Sequence, residues 1–281
     1  MSPLASFRRA LWATVPCKNQ TGKFATQGTV MAKNTHPSIT PKPPPTDTRG
    51  NEIHNEILLG LSQDCSELCS KLEYVRLKVH NVLFEPGDAL KSVYFCNSGM
   101  ISILTVFPDG KSVEVGLVGK EGFVGLPLLV GFQTASTRAV AQIEATAFRV
   151  NGEALMSLLP RYPELEQRLQ QYSQISTMQV TQIAACNRLH EVHERLARWL
   201  LMCSDRVSSN DLALTQEFLG QMLGTRRSSV TVAAGLLQEA GLINTSRGDV
   251  KIVNRKKLED AACECYAIMQ TQASEWRNGS Q

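Results

Sequence analysis

The sequence predicts an α+β fold: an N-terminal antiparallel β-roll (a double-stranded β-helix), one long helix and a C-terminal winged helix-turn-helix. Three observations predict it. Short β-branched and aromatic runs, broken by turn residues, fill residues 76–150. Apolar residues then recur at spacings of three and four from 164 to about 187. Finally, two helical patterns at about 215–223 and 226–240 are joined by only Gly224 and Thr225, and a hairpin pattern follows at 242–253. Helix, turn, helix and hairpin in that order is the winged arrangement.

Length and composition agree. The chain has 281 residues, 43% hydrophobic and 20% charged, which suits a globular protein of two domains. No run of about 18 uncharged apolar residues is present, so no membrane partner is expected. Arg8-Arg9 precede ALWATV, which is shorter than an export signal needs, and a cytoplasmic protein is expected. Met31 is a second candidate start. The eight cysteines contain no CxxC. Cys65-x3-Cys69 and Cys263-x-Cys265 are read as free thiols of a reducing compartment, with no cofactor or metal expected.

The net charge of +3 is unevenly placed. Residues 1–50 carry seven bases and one acid, and with "HPSITPKPPPTDTRGN" they read as a disordered basic tail. Residues 215–257 carry seven bases and three acids, the electrostatic footprint of a phosphate-binding surface on an otherwise acidic body.

Residues 53–75 fit two short helices interrupted near 60–64. In the strand region, turns are expected at Pro86-Gly87-Asp88, Asn97-Ser98-Gly99 and Pro108-Asp109-Gly110, with final strands at about 136–143 and 145–150. A short helix is expected at 152–159. In the long helix, Ile175, Met178, Gln182 and Ala185 have coiled-coil spacing and are read as a homodimer seam. The helix should break near 187–190, and residues 267–281 are read as a flexible tail.

The second helix of the pair carries the chemistry. Val230, Ala233, Ala234 and Leu237 share one face, while Ser228, Thr231, Val232 and Gly235 share the other, with Arg227 at the helix start. Gly224 suits the positive φ of so tight a turn, and Thr225 is a candidate N-cap. A shallow face of this kind fits the DNA major groove: Arg reads guanine, Ser and Thr read several base edges, and Val touches the thymine methyl. The candidate DNA-binding residues are Thr215, Gln216, Thr225, Arg226, Arg227, Ser228, Thr231 and Val232, with Arg247 and Lys251 on the wing as phosphate contacts.

Enzyme chemistry has little to stand on. The strand region holds one histidine, His80, too few for a metal-dependent barrel. His190 and His193 are three apart, unlike the i, i+4 pair of HExxH, and neither a glycine-rich phosphate loop nor a nucleophile elbow is found.

Residues 53–266 resemble the Crp/Fnr superfamily of bacterial transcription regulators. The resemblance is carried by "LFEPGDALKSVYFCNSGMISIL", "GKEGFVGLPLLVG", "ERLARWLL" and "LTQEFLGQMLGTRRSSVTVAAGLLQEAGLI". "ACECY" at 262–266 resembles a branch of that family without an assigned effector. The resemblance implies a cyclic-nucleotide-binding-like roll at 53–160, a dimerisation helix at 164–189 and a DNA-binding winged helix at 190–266. It also implies a homodimer reading a palindromic operator in double-stranded DNA, RNA polymerase as a partner, and a small-molecule effector.

The family's Gly-Glu and Arg-Ser pairs, which hold cyclic AMP, fall here on Gly125-Leu126 and Ala135-Ser136. The Glu and the Arg are both missing, and Arg138 lies nearby on the alternate side of a strand. Cyclic AMP is therefore not expected in the usual mode, and the effector pocket is placed at Gly125, Leu126, Ser136 and Thr137. The family's Arg-Glu-x-x-x-Arg reading pattern becomes Arg227-Ser228-x-x-x-Val232, which implies a different operator. The family's oxygen-sensing N-terminal cysteine cluster is absent. A constitutive repressor whose roll serves only as a scaffold is the alternative.

Overall fold

The computed structural model describes residues 45–278, apart from residues 63 and 247. Most of the expected basic tail therefore lies outside the described residues. Its last part is ordered, which corrects the expectation for 45–50. The buried Asp47 carboxylate accepts hydrogen bonds from the backbone N–H of Arg49 (2.9 Å) and Asn51 (2.7 Å), and Thr46 bridges Glu52.

Helices α1 (Glu56–Leu59) and α2 (Ser66–Lys71) lead into the roll. Its strands are β1 (Glu73–Leu77), β2 (Val82–Phe84), β3 (Ser92–Val106), β4 (Ser112–Val118), β5 (Phe123–Val124) and β6 (Arg138–Asn151). All pairings are antiparallel, in the order β1-β6-β3-β4, with β2 on β6 and β5 on β3.

Two of the expected breaks are bulges instead. Asn97-Ser98-Gly99 does not end a strand; β3 runs through it, and its register against β6 shifts there. Gly99 has φ +73°, and a Cβ on it would lie 2.1 Å from the Glu144 carbonyl oxygen. A glycine is needed at this crossing because two backbones meet there, not because the chain reverses. The two strands expected around residue 144 are likewise one continuous β6.

Strands β3 and β6 are buried on both faces. Val93, Phe95, Ile101, Ala141, Ala147 and Phe148 point into the roll's own core. Met100, Leu104, Leu117 and Val140 belong to a second core shared with the C-terminal half.

After α3 (Gly152–Leu158) and a 3₁₀ turn, Pro163 begins α4 (Pro163–Leu189). His190 leaves helical geometry at φ −110°, ψ 150°, and a Glu191/Glu194 capping box starts α5 (Val192–Val207). Then follow β7 (Asp211–Leu212), α6 (Gln216–Met222), α7 (Arg227–Glu239), β8 (Ile243–Ser246), β9 (Asp249–Ile252), α8 (Arg255–Ala261) and α9 (Cys265–Asn278). Strand β7 completes a three-stranded sheet, β7-β9-β8, which the hairpin pattern did not reveal.

The flexible tail expected from 267 onward is corrected too. Those residues up to 278 are helical, and Trp276 enters the roll core, its ring 6.0 Å from that of Tyr172 on α4. At the other end of α9, Asp205 of α5 accepts hydrogen bonds from Tyr266 (3.0 Å) and Arg255 (2.5 Å). Helical spacing of Ile268, Met269 and Trp276 is diluted by polar residues, so the segment reads as a tail until its partner surface is known. Trp276→Ala should lower unfolding stability by about 3 kcal/mol in urea titrations; a change under about 0.5 kcal/mol would mean that α9 is not docked.

Candidate nucleic-acid interface and effector cavity

Gly224 takes φ +59° and turns α6 into α7. Thr225 donates its backbone N–H to the Gly220 carbonyl (3.0 Å). The N-cap of α7 is Arg226, not Thr225, and no side chain caps it. Thr225 is drawn into the turn by that bond, one position too early to cap. Val230, Ala233, Ala234 and Leu237 are buried in the second core. Arg226, Arg227, Ser228, Thr231 and Val232 are exposed on the outer side, Val232 at 65%, and Gly235 is half-buried. Thr231 Oγ1 donates back to the Arg227 carbonyl (3.1 Å).

Thr215 is the N-cap of α6, its hydroxyl accepting from Phe218 N–H (3.2 Å), and Gln216 opens that helix. Lys251 on β9 pairs with Asp211 on β7 (3.1 Å), so the sheet already engages its ammonium. Arg247 lies outside the described residues. The wing is fixed to α7 by Gln238, whose side-chain oxygen accepts from Thr245 N–H (2.9 Å) and Oγ1 (2.7 Å).

An open cavity of about 750 Å³ lies between the roll and α4. Gly125, Leu126, Ser136 and Thr137 all line it, so the structure brings together the four residues singled out for the effector. Tyr172, Ser176 and Thr177 of α4 form another wall. Among the described residues, no charged side chain lines the cavity. Arg138 is engaged elsewhere, its Nε 2.8 Å from a Glu85 carboxylate oxygen.

Sequence reasoning missed the coupling between roll and reading helices. Glu114 on β4 is buried; its carboxylate accepts from Ser102 Oγ (2.7 Å) on β3 and from Trp199 Nε1 (2.6 Å) on α5. Burial pushes this carboxyl up from 4.5 to about 7, against those two hydrogen bonds and the nearby Arg198 and Arg206. Arg206 of α5 also pairs with Glu121 (2.9 Å), and Gln221 of α6 bonds Ser112. Ser112 and Glu114 alternate with valines in the sequence, a pattern that reads as a solvent face; only the docked α5 and α6 make it an interior one.

Two residues of the expected dimer stripe also make contacts within the chain. Ile175 packs on the roll core, and Gln182 donates to Cys265 Sγ (3.1 Å), so both serve contacts within the chain. Met178 is half-buried and Ala185 exposed. The outward positions of α4 include Thr177, Val180, Thr181 and Ala184. The roll and α9 thus meet part of the face that carries the coiled-coil spacing. Cys263 and Cys265, read as free thiols, converge with a third cysteine: together with Cys186 they meet His190 at the α4–α5 joint. The i, i+4 spacing of Cys186 and His190 beside Cys263-x-Cys265 was the available signal.

A β-roll bordered by an open cavity, linked by a long helix to a winged helix-turn-helix, defines the class of DNA-binding regulators that carry a sensor-type roll. The family models agree. That for the cyclic nucleotide-binding domain matches residues 74–162, and that for the Crp-like helix-turn-helix domain matches 194–261, together more than half of the chain. The chain is 26% identical over 181 residues to the global nitrogen regulator of Synechococcus elongatus, covering 61% of this chain and 82% of that protein. It is also 26% identical over 190 residues to patatin-like phospholipase domain-containing protein 6 of Mus musculus, covering 64% of this chain but only 13% of that protein.

Among solved structures, a CRP-family transcriptional regulator from Thermus thermophilus shares the fold with a TM-score of 0.59 at 21% identity, over 67% of this chain and 96% of that one. The c-di-GMP responsive global regulator of Xanthomonas campestris gives 0.56 at 20% identity, over 65% and 94%. The chain belongs to the Crp/Fnr family of transcription regulators. Among the described residues, no helix is long and apolar enough to cross a membrane.

The Glu114 proton sets a pH dependence. The folded chain retains it at pH values where the unfolded chain, with its ordinary carboxyl, has lost it, so stability falls as pH rises from about 4.5 to about 7 and levels off above. The fall is on the order of a few kcal/mol. Glu114→Gln keeps both hydrogen bonds and should flatten this slope in thermal melts taken across that range; an unchanged slope would assign the pH dependence to another group.

Proposed function

We propose that the protein is a homodimeric, sequence-specific DNA-binding regulator whose roll binds a small molecule other than cyclic AMP. One observation carries this reading: α4 forms a wall of the uncharged roll cavity and ends at the joint from which α5 and the reading helices start. A ligand that fills the cavity thus bears on the element that sets where the two reading helices lie. In these terms, residues 53–160 are the sensor, 164–189 the dimerisation helix and 190–266 the DNA-binding unit.

The outward face of α4 around Val180, 42% exposed, supports pairing with a second copy. Part of the same face, at Ser173, Ser176, Thr177 and Thr181, lines the cavity, so a partner's helix would help to close it. A two-fold dimer then presents each α7 to half-sites about 34 Å apart in a palindrome. Arg227 reads a guanine, Val232 lies against a thymine methyl, and the uncapped N-terminus of α7 with Arg226 favours backbone phosphate. Thr215, Gln216, Thr225, Ser228, Thr231, Arg247 and Lys251 complete the candidate contact set. RNA polymerase is the proposed protein partner on DNA.

The absence of cyclic AMP rests on the cavity lining. A cyclic phosphate carries a full negative charge, and an uncharged wall offers it no charge-assisted pair. A mainly apolar ligand with hydroxyl or carbonyl groups suits the Ser136, Thr137 and Ser176 hydroxyls better.

Selection from a random duplex pool would supply the operator. On it, Arg227→Ala should weaken binding by about 1–3 kcal/mol and relax preference at one base pair of each half-site, read by fluorescence anisotropy. Unchanged binding would place another element in the groove. Cyclic AMP at millimolar level should shift neither the melting temperature nor operator affinity, whereas cell metabolite fractions should contain a component that does. If no fraction alters affinity, the constitutive reading is favoured.

A further inference from the structure

Four side chains from two distant stretches of sequence meet where α4 gives way to α5. Cys186 and His190 lie one turn apart at the end of α4, and His190 N–H still bonds the Cys186 carbonyl (3.1 Å). Cys263 lies in the short link from α8 to α9, and Cys265, on the other side of Glu264, opens α9. The three sulfurs and one ring nitrogen all lie within 4.8 Å of one another. Cys186 Sγ is 3.5 Å from Cys263 Sγ, and Cys265 Sγ is 3.5 Å from His190 Nδ1.

A zinc tetrahedron with bonds of about 2.3 Å to sulfur and 2.0 Å to nitrogen has edges of roughly 3.5–3.8 Å. Two edges of this cluster already have that length, and the others exceed it by no more than about an ångström. We propose that Cys186, His190, Cys263 and Cys265 bind one zinc ion, in a closed structural site that ties the α4–α5 joint to the start of α9.

The surroundings are those of a metal site. His190 turns Nδ1 toward Cys265, while its other nitrogen, Nε2, lies 3.3 Å from the Glu264 carboxylate. A carboxylate on the far nitrogen fixes the tautomer and orientation of a ligating imidazole. Gln182 donates to Cys265 Sγ (3.1 Å), a bond suited to a thiolate.

Charge balance points the same way. Zinc with three thiolates carries one net negative charge. Arg195 and Arg198 of α5 are 7% and 2% exposed, and the Nε of each has no hydrogen-bond partner among the described residues. Both guanidiniums interact electrostatically with Cys186 and Cys263. Burying two such cations is costly without nearby negative charge; Glu114 lies near Arg198, and the metal-thiolate cluster adds a charge that reaches both.

Four protein ligands leave no open position, so the site is structural and not catalytic. Three thiolates and an imidazole suit zinc over the hard divalent ions. On binding, the thiol protons pass to solvent and no electron is transferred. Cys65 and Cys69, also four apart, find no third ligand among the described residues.

The test uses the full chain, expressed with zinc in the medium and purified under reducing conditions without chelator. Elemental analysis should find about one zinc per chain, and cobalt(II) exchange should give thiolate-to-cobalt charge transfer with the intense d–d bands of a tetrahedral site. Cys265→Ser and His190→Ala should lose stoichiometric zinc, while Cys65→Ser and Cys69→Ser keep it, with circular dichroism confirming that each variant folds. Glu264→Gln should weaken zinc about tenfold in competition with a chromophoric chelator. Folded wild-type chain that carries no zinc, that carries iron instead, or that shows only a Cys186–Cys263 disulfide by mass mapping overturns the proposal. So does equal zinc loss in the Cys65→Ser control. None of these readouts depends on DNA binding.

Discussion

Burial of β3 and β6 on both faces is the constraint on which the rest of this structure depends. One face closes the roll around Phe95, Phe123 and Phe148; the other receives α5 through Met100, Leu104 and Val140. A strand in that position cannot alternate apolar and polar residues, and any polar group it carries toward α5 must be satisfied within the protein. Ser102 and Glu114 meet that requirement together with Trp199. The same packing joins one face of the roll to the DNA-binding half in a shared second core.

Helix α4 makes a second connection between the two halves. It borders the cavity, carries the outward face available to a second copy, and ends at the joint where Cys186 and His190 lie. The joint is well defined: α4 stops at Leu189, His190 is extended, and a capping box starts α5 at once. Helix α9 returns to brace it, with Cys263 and Cys265 at one end and Trp276 in the roll core at the other.

Much of the DNA-binding unit could be read from the chain because its determinants are local. The tight Gly224 turn and the two faces of α7 follow from backbone conformation and a 3.6-residue period, and the structure has them where the spacing places them. Of the candidate contacts, the five on α7's outer side from Arg226 to Val232 are exposed together, and the four cavity residues converge. Lys251 is different: its partner Asp211 sits on β7, a strand too short for any periodicity to show.

The amino-acid sequence by itself determined the fold class, the order of its parts, the family, and the absence of a charged pair at Leu126 and Ala135. Those depend on periodicity, turn chemistry and residue identity, which neighbours along the chain express directly. Tertiary structure alone decided that Asn97-Ser98-Gly99 bulges instead of turning and that α9 is docked. It alone also decided that Ile175 and Gln182 make contacts within the chain, that Glu114 is interior, and that three cysteines and a histidine form one cluster. Each of these is a contact between residues far apart in the chain, and no local pattern encodes which surface a segment will meet.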